Sequence, residues 1–245
     1  VGWLKNNKDL RAAQKLHAAV YLERGFIESQ HLNKDGRMAV RHDPYQKHAD
    51  YFAVVEGVGK NQRVIATARQ ITARPEQGYV SFPTLAKLGI DPSIRQAIES
   101  LSPTTCVEIS GLAKTKGYSS YATFLLYRSL WQHSLQQKHQ VWVMACDAQV
   151  YARLKYFFGD ALLQIGGKVH YMGSDVVPAI LEVDRSLGIL QKKTRSLNFA
   201  RQQLRREMTR FFLDGLPDEL KRLGQAPVKQ ETQLGRIIKE HTTWA

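Results

Sequence analysis

The stretch Thr105–His133, TCVEISGLAKTKGYSSYATFLLYRSLWQH, constrains the fold of this chain more than any other. A short apolar strand, Cys106–Gly111, ends in Glu108-Ile109-Ser110-Gly111. The loop 113–120 follows with Lys114, Lys116 and Gly117, and then a long amphipathic helix from about Ser119 to Lys138. Strand, small basic loop and helix N-terminus in that order make a place for a phosphate, because backbone N–H groups and the positive end of the helix dipole point at it. Lys114, Lys116, Gly117 and Ser119 are its expected residues. Strand side chains alternate between faces, so Glu108 and Ser110 share one face while Val107 and Ile109 take the other. A carboxylate beside a phosphate site points to transfer chemistry on a group borne by a phosphopantetheine arm.

The rest of the chain supplies layers for that unit. Asp9–Glu28 is predicted helical, with Asp9 as N-cap and Leu10, Ala13, Leu16, Val20 and Tyr21 as its apolar stripe. Met38–Pro44 reads as a short strand or loop. Tyr51–Glu56 and Arg63–Ile71 read as strands joined by the hairpin-type connection 57–61. Phe82–Ser102 carries weak helix signals and two prolines, Pro83 and Pro92. Val141–Cys146 is predicted to be a buried strand, and Asp147 to cap a helix reaching Phe158. Ala161–Met172 and Val177–Val183 read as strands, with a bend at Gly166-Gly167. Together these predict an α/β (α+β) fold, a central mixed sheet with helices on its faces. Beyond it, Leu197, Ala200, Leu204, Met208 and Phe211 make a helical stripe ringed by Arg201, Arg205, Arg206 and Arg210, and Gly215-Leu216-Pro217 ends that helix. The expected division is a core over 1–184 and a basic helical extension over 185–245 packed on it.

Charge narrows the partners. The net charge is +13, and Arg185–Ala245 holds 13 Lys/Arg against 6 Asp/Glu. A solvated helical face, an acidic protein, an anionic membrane surface and nucleic acid all fit such a surplus. No helix-turn-helix, zinc or RNA-recognition signature is present, and the aromatics sit in apolar runs, which argues against specific nucleic-acid binding. No apolar run approaches the roughly 20 residues that span a bilayer, and no signal peptide opens the chain. Cys106 and Cys146 read as buried thiols of a reducing compartment. A cytoplasmic location is expected, with the basic C-terminal helices able to touch the inner face of the membrane. Val1 reads as an engineered or processed start. The eight histidines show no ligand spacing, so no metal is expected.

The order helix, hairpin strands, Glu-bearing strand, basic loop, helix, apolar strand and helix resembles the GNAT acyltransferase fold. More narrowly, it resembles the acyl-homoserine-lactone (autoinducer) synthases and the long-chain N-acyl amino acid synthases. The residues that carry this are Arg24-Gly25-Phe26, Asp43-Pro44-Tyr45, Asp50-Tyr51, Val64–Arg69 and Val107–Ser110. Ile165–Gly173 also resembles the late strands of exosortase-associated members, and the likeness runs over residues 10 to 183. It implies an acyl group moved from acyl carrier protein, or from acyl-CoA, to an amine, with no permanently bound cofactor.

Within that resemblance Glu108 accepts the proton of the amine, aided by Ser110 and Asp43. Arg69 pairs an acceptor carboxylate, and Asp43 helps receive its amine. Arg24, Lys114 and Lys116, with Arg153 and Lys155 further out, face the acidic carrier, whose association complementary charge accelerates. Phe124, Leu125, Trp142, Met144, Tyr151, Leu154, Phe157 and Phe158 are candidates for an acyl slot. Burying a twelve-carbon chain there supplies roughly 9 kcal/mol at ~0.8 kcal/mol per methylene. For each slot residue taken singly, ordinary core is the favoured reading, and Glu108 reads also as the partner of a structural salt bridge, for example with Arg69.

Two departures choose the acceptor. Autoinducer synthases follow Glu-x-Ser with Arg, where this chain has Gly111. Their acidic pattern Glu-x-Asp-x-x-Asp is reduced to Asp43, with Arg41 and Gln46 at the outer positions. Both favour an amino acid over S-adenosylmethionine. Lactone synthesis and a non-catalytic protein that binds acyl carrier or lipid are the alternatives.

Overall fold

The computed structural model describes residues 1–72, 82–102, 104–171, 173–191, 199–223 and 232–241. Among these, eight strands form one mixed sheet: β1 (Gly2–Trp3), β2 (Ala49–Glu56), β3 (Arg63–Thr72), β4 (Cys106–Lys114), β5 (Val141–Asp147), β6 (Leu162–Gln164), β7 (Val169–Tyr171) and β8 (Ser174–Glu182). Their order is β1-β2-β3-β4-β5-β8-β6, with β7 also on β8. Only β4 and β5 run parallel. A parallel pair needs a crossover, and the 17-residue helix α4 (Tyr121–Gln137) provides it. This is the mixed sheet with flanking helices that the sequence predicts.

Alternation along the strands divides the core in two. Phe52, Val54, Ala66, Ala68, Val107, Ile109, Trp142 and Met144 face α4, α5 (Ala148–Phe158), α6 (Val183–Gln191) and α7 (Phe199–Leu213). Leu220 of α8 (Asp218–Leu223) packs against the same cluster. Ile71, Cys106, Val141, Val143 and Ile180 face the other way, onto α2 (Pro83–Lys87), α3 (Pro92–Glu99) and α9 (Gln233–His241). Helix α1 (Asn7–Glu23) crosses β3 and β4. Buried indoles find partners: Trp131 donates to Ser186 Oγ at 2.8 Å and Trp142 to Ser134 Oγ at 2.7 Å.

Several boundaries differ from the sequence reading, each for a local reason. Asn6, not Asp9, caps α1: its Oδ1 accepts the Asp9 N–H at 2.8 Å. The helix stops at Glu23 rather than Glu28. Gly25 (φ +71) turns left-handed there, and the N–H groups of Phe26 and Gly25 donate to Tyr21 O and Leu22 O at 2.8 and 3.0 Å. Pro83 and Pro92 begin α2 and α3, where a missing N–H is no loss. β4 runs on past Gly111, so Ala113 and Lys114 belong to the strand and not to the loop, and α4 starts at Tyr121.

The span 161–172 holds two short strands, with Gly166 between them where a Cβ would lie 2.9 Å from Gly89 O. Leu204 is exposed, contrary to the predicted stripe; Met208 and Phe211 pack against the first core as the stripe expects, Phe212 is buried in it, and Arg205 donates to Ile189 O. Leu197 and Met172 lie outside the described residues. Phe212 and Leu216 join the first core, whereas Leu234 and Ile238 join the second. The helices after residue 185 therefore pack on both faces of the sheet.

Candidate active site

β4 and β5 part company midway. Their pairing runs from Cys106↔Val141 to Ile109↔Met144 and stops. Beyond it β4 stays on β3 and β5 on β8. The two facing edges have no ladder partner, and a cleft of about 940 Å³ opens there. Ile109, Leu112, Tyr127 and Met144 supply apolar wall, while α1, α2, the end of β7 and the start of β8 close the other side. A bulge widens the split: Gly111 and Leu112 together oppose the single residue Ala68. Gly111 has φ +62, and a Cβ there would lie 3.1 Å from both Arg69 Cγ and His17 Cε1. Backbone and space alike require glycine.

Glu108 lines this cleft from β4. It is 1% exposed, and its Oε2 accepts the Thr84 N–H at 3.0 Å in the first turn of α2. Burial pushes its pKa up to about 8, and the hydrogen bonding from Thr84 and the Arg69 charge only partly offset that. Tyr45 and Tyr171 also line the cleft; burial, then the nearness of Glu108, raises both phenols.

Beside it lies a charged node. Arg69 Nη1 meets Asp43 Oδ2 at 2.5 Å and its Nε donates to Ser110 Oγ at 3.0 Å. The expected salt bridge of Glu108 with Arg69 is thus replaced by one with Asp43. Burial opposes the Arg69 charge, and the Asp43 carboxylate outweighs it, so the guanidinium pKa is raised. His17 is fully buried next to this node; burial, with Arg69 second, holds its pKa well below the ordinary value. Tyr21 stacks edge-on against it at 4.2 Å, and burial lifts its phenol to about 12. The arrangement fixes the Ser110 hydroxyl on the Arg69 guanidinium, two residues along β4 from Glu108 and on the same strand face.

Glu108, Ser110, Asp43, Arg69, Arg24, Lys114, Lys116 and Gly117 all reach the cleft. Lys114 also donates to the Tyr118 carbonyl. Ser119 does not line the cleft; its Oγ accepts the Tyr121 N–H at 3.1 Å, just ahead of α4. Of the eight candidate slot residues only Met144 lines the cleft. Phe124, Leu125 and Tyr151 pack against the first core, and Trp142, Leu154, Phe157 and Phe158 are buried in it. Arg153 is exposed on α5, whereas Lys155 Nζ is held by Leu162 O at 2.7 Å.

His17, Thr84, Tyr127, Cys146 and Tyr171, none of them a site residue expected from the sequence, also line the cleft. His17 carried a signal, standing between Ala13 and Tyr21 at i+4 spacing on the buried stripe of α1. Thr84 carried none, since it acts through its backbone on a distant strand.

Among the described residues, no group of His, Cys, Asp and Glu is placed to hold a metal ion, and no helix is long and apolar enough to cross a membrane. No family model and no curated protein sequence matches the chain. Solved structures do. FeeM, an N-acyl amino acid synthase from uncultured soil microbes, superposes with a TM-score of 0.56 at 13% identity, over 76% of this chain and 91% of its own. The acyl-homoserine-lactone synthase LasI gives 0.54 at 20% identity, over 73% and 85%. The CoA-dependent acyl-homoserine lactone synthase BjaI gives 0.55 at 14% identity, over 96% and 92%. The chain has the GNAT-like fold of these structures.

Proposed function

We propose that this protein is an N-acyltransferase that moves a long-chain acyl group from a pantetheine thioester to the amine of an amino acid. The observation that carries the reading is Glu108, a buried carboxyl with a pKa of about 8 in the cleft where β4 and β5 separate. A general base works best when its pKa lies near the working pH. The amine nitrogen attacks the thioester carbonyl carbon, the C–N bond forms and the C–S bond breaks. Glu108 takes the proton of the amine, and the thiolate leaves along the wedge. The acyl chain lies against Ile109, Leu112, Tyr127 and Met144 rather than in the aromatic core. The donor is acyl carrier protein or CoA, with Arg24, Lys116 and Gly117 at the cleft receiving its phosphate.

Burial of Arg69, with Asp43 on its Nη1 and Ser110 on its Nε, favours a different cation for the acceptor carboxylate. An acceptor carboxylate falls instead to Lys87, an exposed cation of the cleft on α2. Asp43 is already paired with Arg69, which makes it a weaker anchor for a sulfonium and favours an amino acid over S-adenosylmethionine. The test is mass spectrometry of lipid extracts from cells expressing the protein. N-acyl amino acids above the empty-vector level are expected; acyl-homoserine lactones in their place would shift the reading to that chemistry.

A further inference from the structure

The acyl-transfer reading, on which this inference rests, sets the donor phosphate by Lys116 and Gly117 and the amine by Glu108. β4 spans that interval, and at about 3.3 Å per residue Gly111 stands about 10 Å along it from Glu108. The attacked thioester carbonyl must stay within reach of the amine held by Glu108, and so lies along β4 between Glu108 and the Gly111 bulge. His17 flanks that bulge, its Cε1 3.1 Å from a Cβ built on Gly111. It is fully buried, lines the cleft, and neither Nδ1 nor Nε2 has a hydrogen-bond partner among the described residues. Buried polar groups are nearly always hydrogen-bonded. A histidine with two unpartnered nitrogens on a substrate cleft calls for a group of the substrate.

Its neighbours select that group. The Arg69 cation repels an ammonium and disfavours an imidazolium, so the ring is neutral, with one N–H donor and one acceptor nitrogen. A carbonyl oxygen complements the donor. We propose that His17 is a further catalytic residue, donating a hydrogen bond from its ring N–H to the carbonyl oxygen of the bound thioester. As the amine attacks, negative charge collects on that oxygen and the same N–H stabilises it. The ring keeps its proton throughout, so proton transfer stays with Glu108.

The test compares octanoyl-pantetheine with octyl-pantetheine, the thioether that lacks the carbonyl, by calorimetry on the full chain. The wild type is expected to bind the thioester about three- to tenfold tighter, the range for one net hydrogen bond, and His17→Leu to bind both alike. If His17→Leu keeps the wild-type preference, or the wild type has none, the role of His17 is overturned while acyl transfer stands. If the wild type binds neither probe, both fall. Should His17→Leu not fold, ring-nitrogen NMR of the wild type decides: the His17 signal shifts with the thioester and not with the thioether, and equal shifts overturn the proposal.

Discussion

Replacing Asp43 by asparagine takes the counter-charge from Arg69 while leaving the volume almost unchanged. The two side chains are 8% and 5% exposed and meet at 2.5 Å, so water does little to screen them. Removing one partner of a buried pair costs about 3–5 kcal/mol, because the other charge is left without compensation. Ser110 Oγ stays on Nε at 3.0 Å and the new amide oxygen still accepts a bond. The lower end, about 3 kcal/mol, is therefore expected for Asp43→Asn. At about 2–4 °C per kcal/mol for a chain of this size, the melting temperature falls by about 6–12 °C. Thermal melts followed by circular dichroism measure this at low and high salt. A surface pair fades with salt, whereas this loss should persist. The double variant Asp43→Leu/Arg69→Met removes both charges and should recover most of the loss. A drop under about 1 kcal/mol, or one that salt abolishes, refutes the buried pair.

Glu108 predicts opposite pH trends for stability and activity. Its folded pKa of about 8 stands above the ordinary 4.5, so the folded state holds a proton that the unfolded state releases. That contribution is complete below pH 4.5 and lost once pH passes about 8; Glu108→Gln flattens the slope in urea titrations. Activity needs the carboxylate, so kcat/KM climbs toward a plateau above pH 8, and a limb in the ordinary carboxylate range contradicts this. Gly111→Ala forces a left-handed Cβ against Arg69 and His17 and should lower stability by about 1–3 kcal/mol; an unchanged melting temperature counts against the bulge.

The order of elements was legible because periodicity reports local structure. Glu108 and Ser110 were placed on the right face by strand alternation alone, and Asp147 announced α5 by its cap. The partner of Arg69 was not legible, since Asp43 reaches it across 26 residues and no local pattern ranks Asp43 above Glu108. Which apolar residues line the cleft was not legible, for a different reason. Trp142 and Met144 point to the same side of β5, yet β4 stops pairing at Met144, so only Met144 reaches the wedge. Gly111 read only as a missing arginine; its positive φ and the crowding by His17 gave the physical reason for glycine.

Acyl transfer at Glu108 is tested most directly with purified protein, acyl-carrier or acyl-CoA thioester and a mixture of amino acids, with product read by mass spectrometry. The wild type is expected to form an N-acyl amino acid, and Glu108→Gln to form it at least about a hundredfold more slowly while still binding the thioester. No acyl amide from the wild type, or equal rates from the two proteins, would contradict it.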